Sequence, residues 1–95
     1  MSDFDVRDNA ADHRFELLAD GEIAGLAMYR LRDGAIVITH SEVSPEFRGR
    51  GYGNELAART LALIRSRGEK VITLCPFFAR YVQDHREWDD IVVEP

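Results

Sequence analysis

Two Asp-Gly pairs divide the first half of the chain into short strand-like segments. Asp20-Gly21 and Asp33-Gly34 have the composition of two-residue hairpin turns, whose central residues both adopt positive φ angles. The segments that they separate are RFELLA at 14–19, EIAGLAMYRLR at 22–32 and AIVITHSEV at 35–43. Because two tight turns join three strands, the sequence predicts an antiparallel meander.

The second half of the chain predicts two helices around one more strand. Apolar residues recur at helical spacing over about 52–67, and Gly68 supplies a C-terminal stop. KVITL at 70–74 is typical of a short buried strand, and CPFFARYVQDH at 75–85 predicts a helix with Pro76 at its first position. The tail EWDDIVV fits either a helical turn or a closing strand. The predicted order is β-β-β-α-β-α.

In the third predicted strand, regular alternation would give each face of the sheet its own set of side chains. One face would carry Ile36, Ile38 and His40, and the other would carry Val37, Thr39, Ser41 and Val43.

Length and composition narrow the classes of protein that this chain can belong to. Ninety-five residues supply apolar surface for one core and no second one. The sequence has no apolar run near the roughly 18 residues that cross a bilayer, and the start MSDFDVRDNA does not resemble a signal peptide. The single cysteine, Cys75, cannot form an internal disulfide, which fits a reducing compartment. We therefore expect a cytoplasmic protein of one domain that does not associate with membranes.

Positive charge is concentrated in one part of an acidic chain. The net charge is −5, yet residues 48–70 carry six basic and two acidic side chains. Such a local patch favours a small anionic ligand and argues against a nucleic-acid surface. Chance clustering along one helix is the alternative.

The patch begins with PEFRGRGYGN at 45–54, which lies between a predicted strand and a predicted helix. The first N–H groups of a helix have no partner within it, and glycine lets an anion approach them closely. Arg48 and Arg50 can add charge-assisted hydrogen bonds. The spacing of Gly49, Gly51 and Gly53 satisfies neither the P-loop nor the dinucleotide-binding pattern, which leaves R-x-x-G-x-G.

The string VSPEFRGRGYG at 43–53 resembles the acetyl-CoA signature of the GNAT superfamily of N-acetyltransferases. Together with THSEV before it and CPF-x-x-x-Y after the next strand, it resembles the short YjdJ-type subfamily. The resemblance covers about residues 6–93, and these are the bounds expected for the single domain. It implies an α+β (α/β) fold in which helices pack on a mixed, mostly antiparallel sheet.

The resemblance also implies acetyl-CoA as the co-substrate and an amine as the acceptor. In such proteins, main-chain N–H groups of the glycine loop bind the CoA pyrophosphate, and the pantetheine arm lies between two splayed strands. Carried onto this chain, the cofactor-binding residues are Val43, Arg48, Gly49, Arg50, Gly51, Tyr52 and Gly53. A glycine turn with solvated arginines is the structural alternative. A CoA-binding or sensing module with little transferase activity is the functional alternative, because a chain this short leaves few residues to shape an acceptor pocket.

Three side chains are candidates for the chemistry of acetyl transfer. Cys75 precedes Pro76 at a predicted helix start, where the dipole favours a nucleophilic thiolate, and the resemblance marks it as the suspected catalytic residue. His40, three residues before Val43, could accept the amine proton. Tyr81 matches a region where many GNAT enzymes use a tyrosine to protonate the leaving thiolate.

Each of the three also has a purely structural interpretation: a small core residue, a half-buried histidine and a packing aromatic. The three histidines of the chain have no zinc-site spacing, so the sequence predicts no metal. The pattern specifies neither the amine acceptor nor the oligomeric state.

Overall fold

The computed structural model describes residues 4–94, which form a five-stranded sheet with two α-helices. The strands are β1 (Phe4–Asn9), β2 (Arg14–Ala19), β3 (Glu22–Arg32), β4 (Ala35–Val43) and β5 (Lys70–Thr73), and the helices are α1 (Tyr52–Ser66) and α2 (Pro76–Asp84). The strands lie in chain order across the sheet. The first four pair antiparallel, and β5 pairs parallel to β4 after the α1 crossover. The predicted α+β fold with a mixed, mostly antiparallel sheet is confirmed.

One strand precedes the three that the sequence predicts. β1 pairs with β2 from Phe4 opposite Ala19 to Asn9 opposite Arg14, so the order is β-β-β-β-α-β-α. A short 3-10 helix, Ala10–Asp12, joins these two strands in place of a two-residue turn. The predicted order was wrong here because β1 alternates only two apolar side chains with charged ones and no turn pair follows it.

Both Asp-Gly turns form as predicted. Asp20 and Gly21 have φ angles of 51° and 86°, and Asp33 and Gly34 have φ angles of 51° and 82°. These positive values match the twist of the flanking strands, so the meander β2-β3-β4 follows directly from the turn residues.

The ends of both helices also follow from the sequence. Gly68, at φ 71°, closes α1: its N–H bonds to the Arg65 carbonyl oxygen and the Glu69 N–H bonds to that of Ile64. Pro76 is the first residue of α2. Neither helix, nor any other in residues 4–94, is long and apolar enough to cross a bilayer.

The tail combines the two structures that its sequence suggested. A 3-10 helix, Arg86–Trp88, is followed by a single parallel bridge between Val92 and Val71 of β5. The tail is also fixed to α1, because the Arg65 guanidinium lies 4.3 Å from the centre of the Trp88 ring and pairs with Asp90.

Both helices pack on one face of the sheet. The fully buried residues there include Phe15, Leu17, Ile36, Ile38, Leu56, Leu61, Ile64 and Phe78. On the opposite face, the carboxylate of Glu16 is enclosed by Arg7 and Arg14, each with Nε 2.7 Å from a carboxylate oxygen, and by Asn9. Burial alone would raise the pKa of Glu16, but these hydrogen bonds outweigh it and hold the pKa at about 2.

A β-bulge in β4 changes which side chains face the helices. Tyr29 pairs with Ile38 and Met28 pairs with His40, so Thr39 is an extra residue on β4. The alternation shifts at this point, and the predicted faces beyond Ile38 were wrong. Ser41 lies on the helix side with Ile38, whereas His40 is exposed on the opposite face.

Candidate functional site

The segment between β4 and α1 presents a run of unpaired backbone N–H groups. The N–H groups of Phe47 and Arg48 bond to the carbonyl oxygens of Ser44 and Pro45. From 49 to 54, no backbone N–H donates a hydrogen bond to any described residue, and Glu55 is the first to bond, to Gly51. Because these groups stand at the positive end of the α1 dipole, the segment forms a surface suited to an anion.

Backbone conformation explains the glycines at the centre of this segment. Gly49 and Gly51 have φ angles of 79° and 78°, a left-handed conformation that costs other residues roughly 1–2 kcal/mol. A Cβ atom built on either residue would find no atom within 4 Å. The backbone is therefore open on this side, and a ligand can approach it.

The two arginines of the segment differ in their contacts. Arg48 Nε donates to the carbonyl oxygen of Val43 at 3.2 Å, which fixes the segment to the end of β4. Arg50 is exposed and has no hydrogen-bond or ion-pair partner among residues 4–94. Its charge is thus available to an anion bound at the N–H groups.

Tyr52 anchors the segment from behind. Its ring stacks on Phe47 at 5.2 Å between centroids and meets the Phe4 ring edge-on at 5.0 Å. These two ring contacts fix the first residue of α1.

Next to this segment, β4 and β5 diverge. Their pairing ends at Ile38 opposite Thr73, and the N–H groups of Leu74 and Cys75 both donate to the Ile38 oxygen at 3.0 Å. β4 continues to Val43 with no described strand on that side. The divergence leaves a gap between the end of β4 and the start of α2.

Main-chain groups of β4 face this gap. The Ser44 N–H donates to the Ala24 oxygen at 2.8 Å, which makes this an outer hydrogen-bonded pair of the β3-β4 ladder. Bonded and non-bonded pairs alternate along an antiparallel ladder, so Val43 and Ser41 occupy non-bonded positions. Their N–H groups consequently point away from β3 and toward the gap.

Cys75 lies at the closed end of the gap. It is the N-cap of α2, 3% exposed, and its sulfur is 3.1 Å from the Ser41 hydroxyl oxygen. The contact joins β4 to the N-cap of α2. A thiol and a hydroxyl are therefore held together where the gap ends.

A cavity of about 180 Å³ lies between Gly53, one of the residues with an unpaired N–H group, and Ser41. Its lining residues are Ser41, Glu42, Val43, Gly53, Leu56 and Phe77. A Cβ atom on Gly53 would lie 3.1 Å from Cζ of Phe77, so the Phe77 ring contacts the first turn of α1 directly.

None of the three catalytic candidates lines this cavity, and Cys75 reaches it only through its contact with Ser41. The His40 side chain is 58% exposed on the far side of the sheet, and its Nε2 is 3.2 Å from a Glu42 carboxylate oxygen. Tyr81 is buried in the core and stacks on the His85 ring at 4.0 Å between centroids. Burial raises the pKa of Tyr81, which keeps the phenol protonated.

A family described as GCN5-related N-acetyl-transferase matches residues 14–91. The chain belongs to this family. The family supports N-acetyl transfer as the general class of function. A search of curated proteins found no significant match.

The fold of this GCN5-related family member is similar to that of a solved structure. The solution NMR structure of a GCN5-like candidate N-acetyltransferase from Staphylococcus aureus aligns with a TM-score of 0.70 and 23% identity. The alignment covers 100% of this chain and 93% of the other.

Four cavity residues of this family member were not singled out from its sequence: Ser41, Glu42, Leu56 and Phe77. Ser41 was assigned to the wrong face, and Glu42 beside it was not considered, because nothing in AIVITHSEV marks the bulge. Leu56 was included only among the apolar residues that recur at helical spacing. Phe77 has no comparable signal in the sequence: its 41% exposure in the first turn of α2 becomes visible only in the folded chain.

Proposed function

We propose that the protein is an acetyl-CoA-dependent N-acetyltransferase that acts on an amine, of the short YjdJ-type subfamily. One observation carries the proposal: a single cleft is lined by Gly53, whose N–H group is unpaired, and by Ser41, whose hydroxyl contacts the Cys75 sulfur. Acetyl-CoA supplies an acetyl group activated as a thioester, at the opposite end of a flexible arm from its diphosphate. Both ends of such a ligand find matching groups here.

The phosphate end would be held by backbone and by one arginine. The N–H groups of 49–54 donate to phosphate oxygens, and the left-handed glycines keep side chains out of the way. Arg50 adds a charge-assisted bond, while Arg48 keeps the segment attached to Val43.

The thioester end would lie along the exposed edge of β4. The Val43 and Ser41 N–H groups face the gap, where they can donate to amide and thioester carbonyl oxygens. A donor fixed before the reaction stabilises the negative charge that develops on such an oxygen. In this role the bulge matters, because it brings Ser41 to the same side as Cys75.

Three side chains would move protons or the acetyl group. Cys75 either attacks the thioester, with its sulfur taking the acetyl group, or relays a proton during direct transfer to the amine; Ser41 orients the sulfur in both cases. His40, paired with Glu42 on the opposite face of the sheet, would accept the proton of an amine that enters the gap from that face. Tyr81, held protonated by burial, donates to the leaving thiolate.

Calorimetric titration of the protein with acetyl-CoA tests the proposal. We expect saturable heat with one ligand per chain, and weaker binding at higher salt because the contacts to phosphate are ionic. Heat no greater than that of a buffer blank would remove the proposal.

A CoA-binding or sensing module is the second candidate. It is favoured by the sheet face opposite the helices, which no helix among residues 4–94 covers and on which His40 is exposed. An amine acceptor bound on that face would contact few side chains, so the face forms a poor acceptor pocket. Tight CoA binding without release of free thiol across a panel of amines would select this candidate.

A further inference from the structure

Phe77 lines the cleft between the first turn of α1 and the end of β4. Its ring packs on Gly53, a residue with an unpaired N–H group, and shares the cavity with Ser41, whose hydroxyl contacts the Cys75 sulfur. Under the proposed function, on which this inference rests, one ligand must reach both the loop N–H groups and the Ser41–Cys75 pair. Its arm has to pass the Phe77 ring.

The contact between Phe77 and Gly53 is tight. A Cβ atom on Gly53 would lie 3.1, 3.5 and 3.6 Å from three atoms of the ring. Gly53 is not among the glycines with positive φ, so its backbone does not require glycine. Glycine occurs at position 53 because the Phe77 ring lies directly over the first turn of α1 and leaves little room for a side chain.

The cleft is narrow while the ring is in this position. Its volume of about 180 Å³ is below the roughly 300–1,000 Å³ of typical small-molecule sites. Strand backbone and the buried Leu56 form the other walls, and these cannot move without disturbing the sheet or the core.

Phe77 is the wall that can move at low cost. It is 41% exposed, whereas the neighbouring Phe78 is fully buried. Exposed side chains change rotamer within picoseconds to nanoseconds. Rotation of the Phe77 ring toward solvent would widen the cleft without breaking a hydrogen bond.

We propose that Phe77 is the gate of this cleft. Packed against Gly53 it closes the passage between the amide end and the Cys75 end, and turned outward it admits the arm of the thioester. It thereby controls access to the thiol.

The single cysteine of the chain makes the gate measurable without any CoA ligand. Cys75 is labelled with iodoacetamide under native conditions in the wild type and in the variants Phe77→Ala, Phe77→Trp and Leu74→Ala. Leu74 is the matched control, since it is a 45% exposed apolar residue near Cys75 that does not line the cavity. Urea denaturation gives the unfolding free energy of each variant.

We expect Phe77→Ala to speed labelling roughly tenfold and Phe77→Trp to slow it, while Leu74→Ala stays within about twofold of wild type. A Cys75 labelling rate in Phe77→Ala within about twofold of the wild-type rate would contradict the proposal that Phe77 is a gate. So would an increase that the loss of unfolding free energy fully accounts for, because the thiol would then be reached by global unfolding.

A second arm separates the gate from the proposed function. In stopped-flow binding, Phe77→Ala should associate faster with CoA and at an unchanged rate with adenosine 3′,5′-bisphosphate, which lacks the arm. If the wild type binds neither compound, the proposed function is wrong. The labelling rates of Cys75 then test the gate proposal by themselves.

Discussion

The Ser41 hydroxyl oxygen lies 3.1 Å from the Cys75 sulfur, and this contact joins β4 to the N-cap of α2 beyond the point where β4 and β5 diverge. Thr39, the extra residue of the β4 bulge, turns Ser41 toward the gap, and the end of β5 at Thr73 brings Cys75 to its other side. The pair is therefore a product of two irregularities in one sheet. Ser41 lines the same cleft as Gly53, so under the proposed function the pair stands where the thioester end of a ligand held by the loop would lie.

Removing the thiol should stop acetyl transfer and spare ligand binding. We expect Cys75→Ala to lower the transfer rate about 100-fold and Ser41→Ala about tenfold, the latter through the loss of one orienting hydrogen bond. The dissociation constant for CoA should stay within about twofold. Free-thiol release and calorimetry measure the two quantities. Intact-mass spectrometry distinguishes the two roles of Cys75, since only a nucleophile gains an acetyl group; full transfer activity in Cys75→Ala would exclude both.

The backbone of the loop should matter more than its side chains. Gly51→Ala forces a left-handed conformation on a residue with a Cβ, so the neighbouring N–H groups should rotate and CoA binding should weaken about tenfold or more. Gly21→Ala is the matched control, because Gly21 has a similar φ of 86° and equally open space, in a hairpin turn outside the site. Both variants should lose similar unfolding free energy. Equal CoA affinities in the two variants would show that the loop does not hold the ligand.

Tyr81→Phe tests whether the phenol acts as an acid. A phenol is protonated throughout the neutral range at its ordinary pKa of about 10, and burial of Tyr81 raises the pKa further. Removing the hydroxyl should lower kcat by roughly 100-fold and leave KM for acetyl-CoA nearly unchanged. The ring itself is retained, so stability should change little. Unchanged kcat would assign Tyr81 to packing against His85 alone.

Acid stability should depend on Glu16. Its pKa is lowered from 4.5 to about 2, so its contribution is fully present above about pH 4.5 and is lost as the pH falls toward 2. This shift corresponds to about 3 kcal/mol of unfolding free energy at neutral pH.

Glu16→Gln should therefore flatten the pH dependence of unfolding between about pH 5 and 2, measured by urea denaturation at each pH. Glu22→Gln is the control, because Glu22 is an exposed residue of the same sheet. A Glu16→Gln profile as steep as that of wild type would show that other carboxylates govern acid unfolding.

Turn and cap residues made most of the fold predictable. Asp20-Gly21, Asp33-Gly34 and Gly68 determine local backbone angles by their own chemistry, so the meander and the end of α1 could be placed from sequence. β1 could not, because its stability comes from pairing with β2 and from packing of Phe4 on Tyr52, which are contacts between distant residues.

In the site, too, residues that determine local backbone angles could be predicted, whereas residues positioned by contacts between distant segments could not. Gly49 and Gly51 could be recognised because a left-handed backbone requires glycine. Ser41 could not, since the bulge at Thr39 arises from how β3 and β4 pair. Phe77 acquires its position only when α1 and α2 come together at Gly53.

The most direct measurement is a titration of the ¹⁵N-labelled protein with CoA, followed through its backbone amide signals in NMR. The account predicts that the largest shifts fall on residues 49–54, with further shifts at Ser41 and Val43, and that signals of the β2-β3 turn at Asp20-Gly21 stay in place. Amide signals of 49–54 that do not move at saturating CoA would contradict it.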